Sequence, residues 1–140
     1  TILLVEDNPG DVRLTQEALR DLKVPHQLQV ALDGFEALER LRREGDYRDT
    51  PRADLVLLDL NLPGKDGRET LREIKEDSEL RHIPVIVLTT SNDPQDIMRC
   101  YSSFANCYIT KPIDMRSFML VIQQIEQFWA PQPPLRIMER

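Results

Sequence analysis

The sequence predicts a doubly wound α/β fold, a parallel sheet covered by helices on both faces, and three observations carry that prediction. Ile2–Val5, Leu55–Leu58 and Ile83–Leu88 are short, almost wholly apolar runs without alternation, as expected of strands buried on both faces. The stretches between the strands place apolar residues at helical spacing. Strand and helix then alternate along the chain, β-α five times over, which is the order of a parallel sheet with crossover helices. Right-handed crossovers leave few topologies open.

Each element has its own warrant. Ile2–Val5 is the first strand. Asn8-Pro9 opens the first helix, with Asn8 as cap and Pro9 at the first helical position, and Val12, Leu19 and Leu22 share one face. Gln27–Ala31 is a weaker second strand. Leu38 and Leu41 mark a helix after Asp33-Gly34. Glu44–Ala53 is polar and longer than most connections, so it is expected as an exposed loop. Leu55–Leu58 is the third strand, and Leu71 with Ile74 marks the third helix. Ile83–Leu88 is the fourth strand, followed after Asp93-Pro94 by a short helix that Ile97 and Tyr101 mark. Cys107–Ile109 is the fifth strand, and the last helix runs from about Asp114 to Trp129. Residues 1–129 are thus expected as one domain. Residues 130–140, with APQPP, cannot continue the helix and are expected as a semi-extended tail without an output domain.

Composition narrows the function classes. The 140 residues suit one domain, and 41% apolar with 30% charged residues is the balance of a folded soluble chain. Eighteen Lys and Arg against twenty-four Asp and Glu leave a net charge of −6, which disfavours nucleic acid and anionic lipid as partners. Cys100 and Cys107 form no CxxC pair. No apolar run approaches the ~20 residues that span a bilayer, and no basic-then-apolar leader is visible. The expectation is a cytoplasmic protein with no nucleic-acid or membrane partner.

Chemistry gathers at the strand ends. The first strand ends in Glu6-Asp7 and the third in Asp59, followed by Leu60-Asn61. In open α/β sheets ligands bind beyond the carboxyl ends of the strands, where strand order reverses. With the order 2-1-3-4-5, Glu6, Asp7 and Asp59 converge there. Carboxylates ~5 Å apart repel by roughly 3 kcal/mol per pair at an effective dielectric of ~20. A hard divalent cation relieves this, and Mg²⁺ is the natural candidate. The fourth strand ends in Thr89-Thr90-Ser91 and the fifth leads to Lys111, which adds a hydroxyl and an ammonium to the same edge. That set suits a phosphoryl group, with a carboxylate as nucleophile. Singly, each residue reads as a helix cap, a strand terminus or a surface charge; together they are complementary.

ILLVEDN, LVLLDLNLPGKDG, PVIVLTT and YITKP resemble the receiver domain of two-component response regulators over positions 2 to about 129. The resemblance implies a (βα)5 flavodoxin-like parallel sheet in the order 2-1-3-4-5. It also implies that Asp59 is the phosphoacceptor. Asp7 is then the direct metal ligand, Glu6 a ligand through water, Asn61 the donor of a backbone carbonyl, and Mg²⁺ the ion. Thr89 and Lys111 bind the phosphoryl group, and Thr89 with Tyr108 forms the switch. The implied partner is a histidine kinase. The segment EGDYRDTPRADLVLLDLNLPGKDG, the run NCYITKP and the pair FW narrow the likeness to single-domain regulators partnered with cyanobacterial phytochrome kinases.

His26 and His82 each border a predicted strand, so the phosphodonor is expected to be another protein or a small acyl phosphate. On the last helix Phe118, Ile122, Ile125 and Trp129 form a stripe that Val121 and Phe128 widen. Most of it is expected to be core, and the surplus is a candidate partner or homodimer surface. Two alternatives also fit these residues. A haloacid-dehalogenase-like phosphohydrolase also uses a nucleophilic Asp, but places DxD after its first strand; a receiver-like interaction module need not be phosphorylated. A nucleotide-binding module is disfavoured, since neither a P-loop nor GxGxxG occurs.

Overall fold

A computed structural model of the chain describes residues 1–20, 25–111 and 114–129, with the side chains of residues 115, 122 and 125–129 excluded. The elements are β1 (Ile2–Val5), α1 (Pro9–Leu19), β2 (Leu28–Ala31), α2 (Gly34–Arg42), a 3₁₀ turn (Gly45–Tyr47), β3 (Leu55–Leu58), α3 (Gly67–Glu76), β4 (Val85–Thr89), α4 (Pro94–Ser102), β5 (Cys107–Thr110) and α5 (Met115–Trp129). The five strands form one parallel sheet in the order β2-β1-β3-β4-β5, as expected from the sequence.

Successive strand residues point to opposite faces, so the apolar runs feed two cores. Leu3, Val5, Val56, Leu58, Val85 and Val87 pack with Leu38 and Leu41 of α2, Leu71 and Ile74 of α3, and Cys100 of α4. Ile2, Leu4, Leu55, Leu57, Ile86 and Leu88 pack with Ala18 and Leu19 of α1 and Phe118 of α5. The non-alternating pattern thus reflects helices on both faces.

Polar caps set where the helices begin. Asn8 Oδ1 accepts from the backbone N–H of Gly10 and Asp11, with Pro9 opening α1. Asp33, Asp66 and Asp93 cap α2, α3 and α4 in the same manner. Each of these caps lies just beyond a strand's carboxyl end or in the loop after it, so the helix starts gather at one edge of the sheet.

Several expectations are corrected in detail. β4 begins at Val85, because Ile83 N–H closes a turn onto Leu80 C=O and proline at 84 has no N–H to donate. The Glu44–Ala53 connection contains the 3₁₀ turn, held by Tyr47 N–H on Glu44 C=O. Of the residues on α4, Cys100 is the buried one, and Tyr101 is 48% exposed. Phe118, expected to contribute to a partner surface, is 1% exposed and belongs to the core under α5. Leu22, the side chains of Ile122, Ile125, Phe128 and Trp129, and segment 130–140 lie outside the described residues.

Candidate functional site: an acidic pocket at the strand ends

Register assembles the site. Val5 pairs with Leu58, which brings the next residues, Glu6 and Asp59, side by side. Thr89 pairs with Thr110, and Lys111 N–H donates to Thr89 C=O at 2.7 Å. Glu6, Asp7 and Asp59 each offer a carboxylate oxygen, all within 4.8 Å of one another. Glu6 and Asp59 are buried, and Asp7 is exposed. An all-oxygen, acidic donor set open to solvent on one side fits a hard divalent cation.

Lys111 answers the acidic charge. Its ammonium donates to Glu6 Oε1 at 2.5 Å, Asp11 Oδ2 at 2.8 Å and Asp59 Oδ2 at 3.3 Å. Burial opposes its charge, but the hydrogen bonds to Asp11 and Glu6 and the charge of Asp59 more than offset this, so the ammonium is held above the usual lysine range. Burial, reinforced by the neighbouring Asp59 charge, pushes the Glu6 carboxyl up against the opposing Lys111 bond. Glu6 Oε2 is also held by Asn8 N–H at 3.2 Å, at the turn into α1.

The phosphoacceptor candidate is fixed from both sides. Asp59 Oδ1 accepts from Asn61 N–H at 3.1 Å while Oδ2 faces Lys111. The turn that does this needs a close approach by α3. A Cβ on Gly67 would collide with the Asp59 carbonyl oxygen and come within 2.5 Å of Leu60 Cα. Gly67 N–H instead donates to Leu60 C=O at 3.0 Å. Only glycine permits that contact.

Thr89 is fully buried at the end of β4. It meets the acidic group through Asn61, whose side-chain amide donates to Thr89 Oγ1 at 3.4 Å and Thr90 Oγ1 at 3.3 Å. Tyr108 does not reach Thr89 directly. Its ring packs against the core, and its hydroxyl donates to Ser91 C=O at 2.7 Å, one loop further on. Ser91 Oγ in turn donates to Asp96 Oδ2 at 2.6 Å. Arg68 of α3 clasps both Asp96 oxygens at 2.7 Å, a bidentate pair between α3 and α4. The Arg68 and Ser91 bonds hold the Asp96 carboxyl well below the usual carboxylate range.

Glu6, Asp7, Asp59 and Lys111 are therefore brought together as expected, Thr89 and Asn61 adjoin them, and Tyr108 stands one hydrogen-bonded step away. Asp11 and the Asn61 side chain were not anticipated. Asp11 reads in sequence as an ordinary acidic residue in a helix's first turn, and its contact with Lys111 spans 100 residues. A cleft of about 740 Å³ between α3 and α4, lined by Arg68, Leu71, Arg72, Met98, Arg99 and Cys100 among others, contains none of these carboxylates. The site lies at the strand ends, apart from that cleft.

Comparisons with known proteins agree with this geometry. Residues 2–123 match the family described as response regulator receiver domain. The chain is 47% identical over 128 residues to response regulator Rcp1 of Synechocystis sp., covering 91% of this chain and 87% of that protein. The crystal structure of the Mn²⁺-bound form of Rcp1 superposes with a TM-score of 0.81 at 45% identity, covering 96% of this chain and 98% of that one. The phosphorylated cyanobacterial phytochrome response regulator RcpA gives a TM-score of 0.82 at 49% identity, with 96% and 97% covered.

Proposed function

The chain belongs to the response regulator receiver family, and from that premise we propose that it accepts a phosphoryl group on Asp59 from a partner histidine kinase. A haloacid-dehalogenase-like hydrolase would place its nucleophilic Asp after β1, whereas the candidate here, Asp59, follows β3. The observation that carries the reading is the convergence of Glu6, Asp7 and Asp59 within 4.8 Å of one another, with the Lys111 ammonium on Glu6 and Asp59. In the transfer an Asp59 carboxylate oxygen forms a bond to phosphorus while the phosphorus–nitrogen bond of a donor phosphohistidine breaks. The departing imidazole nitrogen keeps the electron pair and takes up a proton.

Glu6, Asp7, Asp59 and the Asn61 backbone carbonyl are the groups that would hold a divalent ion, and magnesium is the proposed one. When bound, it neutralises charge that builds on the transferring phosphoryl group. Lys111 supplies a fixed ammonium beside Asp59 for a phosphoryl oxygen, and Thr89 a hydroxyl at the end of the neighbouring strand. The likeness to RcpA, described as a phytochrome response regulator and solved phosphorylated, supports a phytochrome-type kinase as donor.

A phosphoryl group adds roughly −1.5 to −2 charges at neutral pH. We read Thr89 and Tyr108 as the switch that passes this change to the face formed by α4, β5 and α5. Met98 and Tyr101 of α4, and Phe104 just beyond it, are exposed there and offer apolar surface to a partner or a second copy of the chain.

Incubation with acetyl phosphate and Mg²⁺ followed by intact-mass measurement tests the core reading. A single phosphoryl adduct that Asp59→Asn abolishes is expected; no adduct on the unaltered chain would leave a receiver-like module without phosphorylation. Phosphotransfer from a candidate phytochrome kinase tests the partner, and sedimentation of both phosphorylation states tests the homodimer.

A further inference from the structure

Lys111 has no donor to spare. An ammonium carries three N–H groups, and three carboxylates surround this one: Glu6 at 2.5 Å, Asp11 at 2.8 Å and Asp59 at 3.3 Å. A phosphoryl oxygen seeking this ammonium must therefore displace one of them. The three are not equivalent. Glu6 and Asp59 are buried and belong to the group whose oxygens lie within 4.8 Å of each other, whereas Asp11 stands outside that group on the first turn of α1. Its side chain is 29% exposed, so water can solvate the carboxylate once the lysine leaves. Glu6, at 3% side-chain exposure, has no such recourse.

We propose that Asp11 is the exchangeable partner of Lys111, occupying the ammonium donor that a phosphoryl oxygen on Asp59 takes over. This rests on the phosphoacceptor reading above and adds to it a positioning residue that competes with the phosphoryl group. Asp11 holds the charged lysine at the mouth of the pocket before phosphorylation and opposes its transfer to the phosphoryl oxygen. Its negative charge also repels the incoming anion. Both effects have the same sign.

Asp11→Asn keeps the size of the side chain and removes the competing charge. In the presence of Mg²⁺, this variant is expected to bind beryllofluoride, a phosphoryl mimic, about two- to five-fold more tightly than the unaltered chain, the range of a part-exposed ion pair. Asp11→Glu, which restores the charge, should return affinity toward the original value. The difference should persist at high salt, since a direct contact is screened less than a distant field. Without metal, the ¹⁵Nζ resonance of Lys111 should move in Asp11→Asn and leave those of other lysines in place. Unchanged or weaker beryllofluoride binding by Asp11→Asn, with normal binding by the unaltered chain, overturns the exchange and leaves the phosphoacceptor reading intact. An Asp11→Glu variant that matches Asp11→Asn overturns it as well. No beryllofluoride binding by either chain removes both.

Discussion

Lys111 is the charge on which the pocket rests. Removing it leaves buried Glu6 and Asp59 facing one another without a cation, and breaking a buried pair from one side costs about 3 kcal/mol or more. Lys111→Met should therefore lose about that much stability in urea melts with chelator present and recover part of it when Mg²⁺ is added. The hydroxyl of Tyr108 carries a smaller load. Tyr108→Phe deletes its bond to Ser91 C=O and should cost about 1 kcal/mol, whereas Tyr108→Ala should leave phosphorylation of Asp59 intact and weaken partner binding. An equal loss of both activities in Tyr108→Ala would contradict that division of roles. Glu6, Asp7, Asp59, Thr89 and Lys111 were legible in the sequence because each immediately follows or ends an apolar run. Asp11 and the amide of Asn61 were not, since their importance comes from partners 100 and 28 residues away.

Among the elements, α3 and α4 are joined by charge as well as by packing. Arg68 and Asp96 pair across them, and Ser91 ties the pair to the loop after β4. Asp96→Asn should cost about 1.5–2 kcal/mol at pH 7, the lower end for hydrogen bonds to charged groups, since Arg68 is part-exposed. Because its folded-state pKa is depressed, the carboxylate contributes fully above the ordinary aspartate value of about 3.9 and loses that contribution as pH falls through the folded value. The gap between the unaltered chain and Asp96→Asn, followed by urea melts from pH 7 downward, should accordingly stay constant and then close below about pH 4. A gap that widens in acid would contradict the assignment. At the start of α3, Gly67→Ala would force the helix away from the Asp59 turn, and overpacking of this kind costs about 1–3 kcal/mol. It should also impair phosphoryl transfer, because the displaced backbone is that of Asp59, the proposed phosphoacceptor. No sequence pattern announced the α3–α4 pairing; helix faces are written in local periodicity, but which surface charges meet is decided by the packed geometry.

For the molecule as a whole, the sheet order and the two-sided core were legible because apolar runs without alternation admit few other architectures. What the sequence left open was mostly at boundaries: where β4 begins and the 3₁₀ turn in the polar connection. A ligand that binds only the folded chain stabilises it by mass action, about 2.7 kcal/mol at a hundredfold excess over Kd. Titration with Mg²⁺ should thus raise the melting temperature, and chelator should reverse the gain. Glu6 and Lys111 meet across 105 positions of sequence. A nascent chain leaving the ribosome therefore displays its acidic residues long before their counter-charge emerges. The pocket gains that counter-charge only once the fifth strand docks and brings Lys111 beside Glu6 and Asp59.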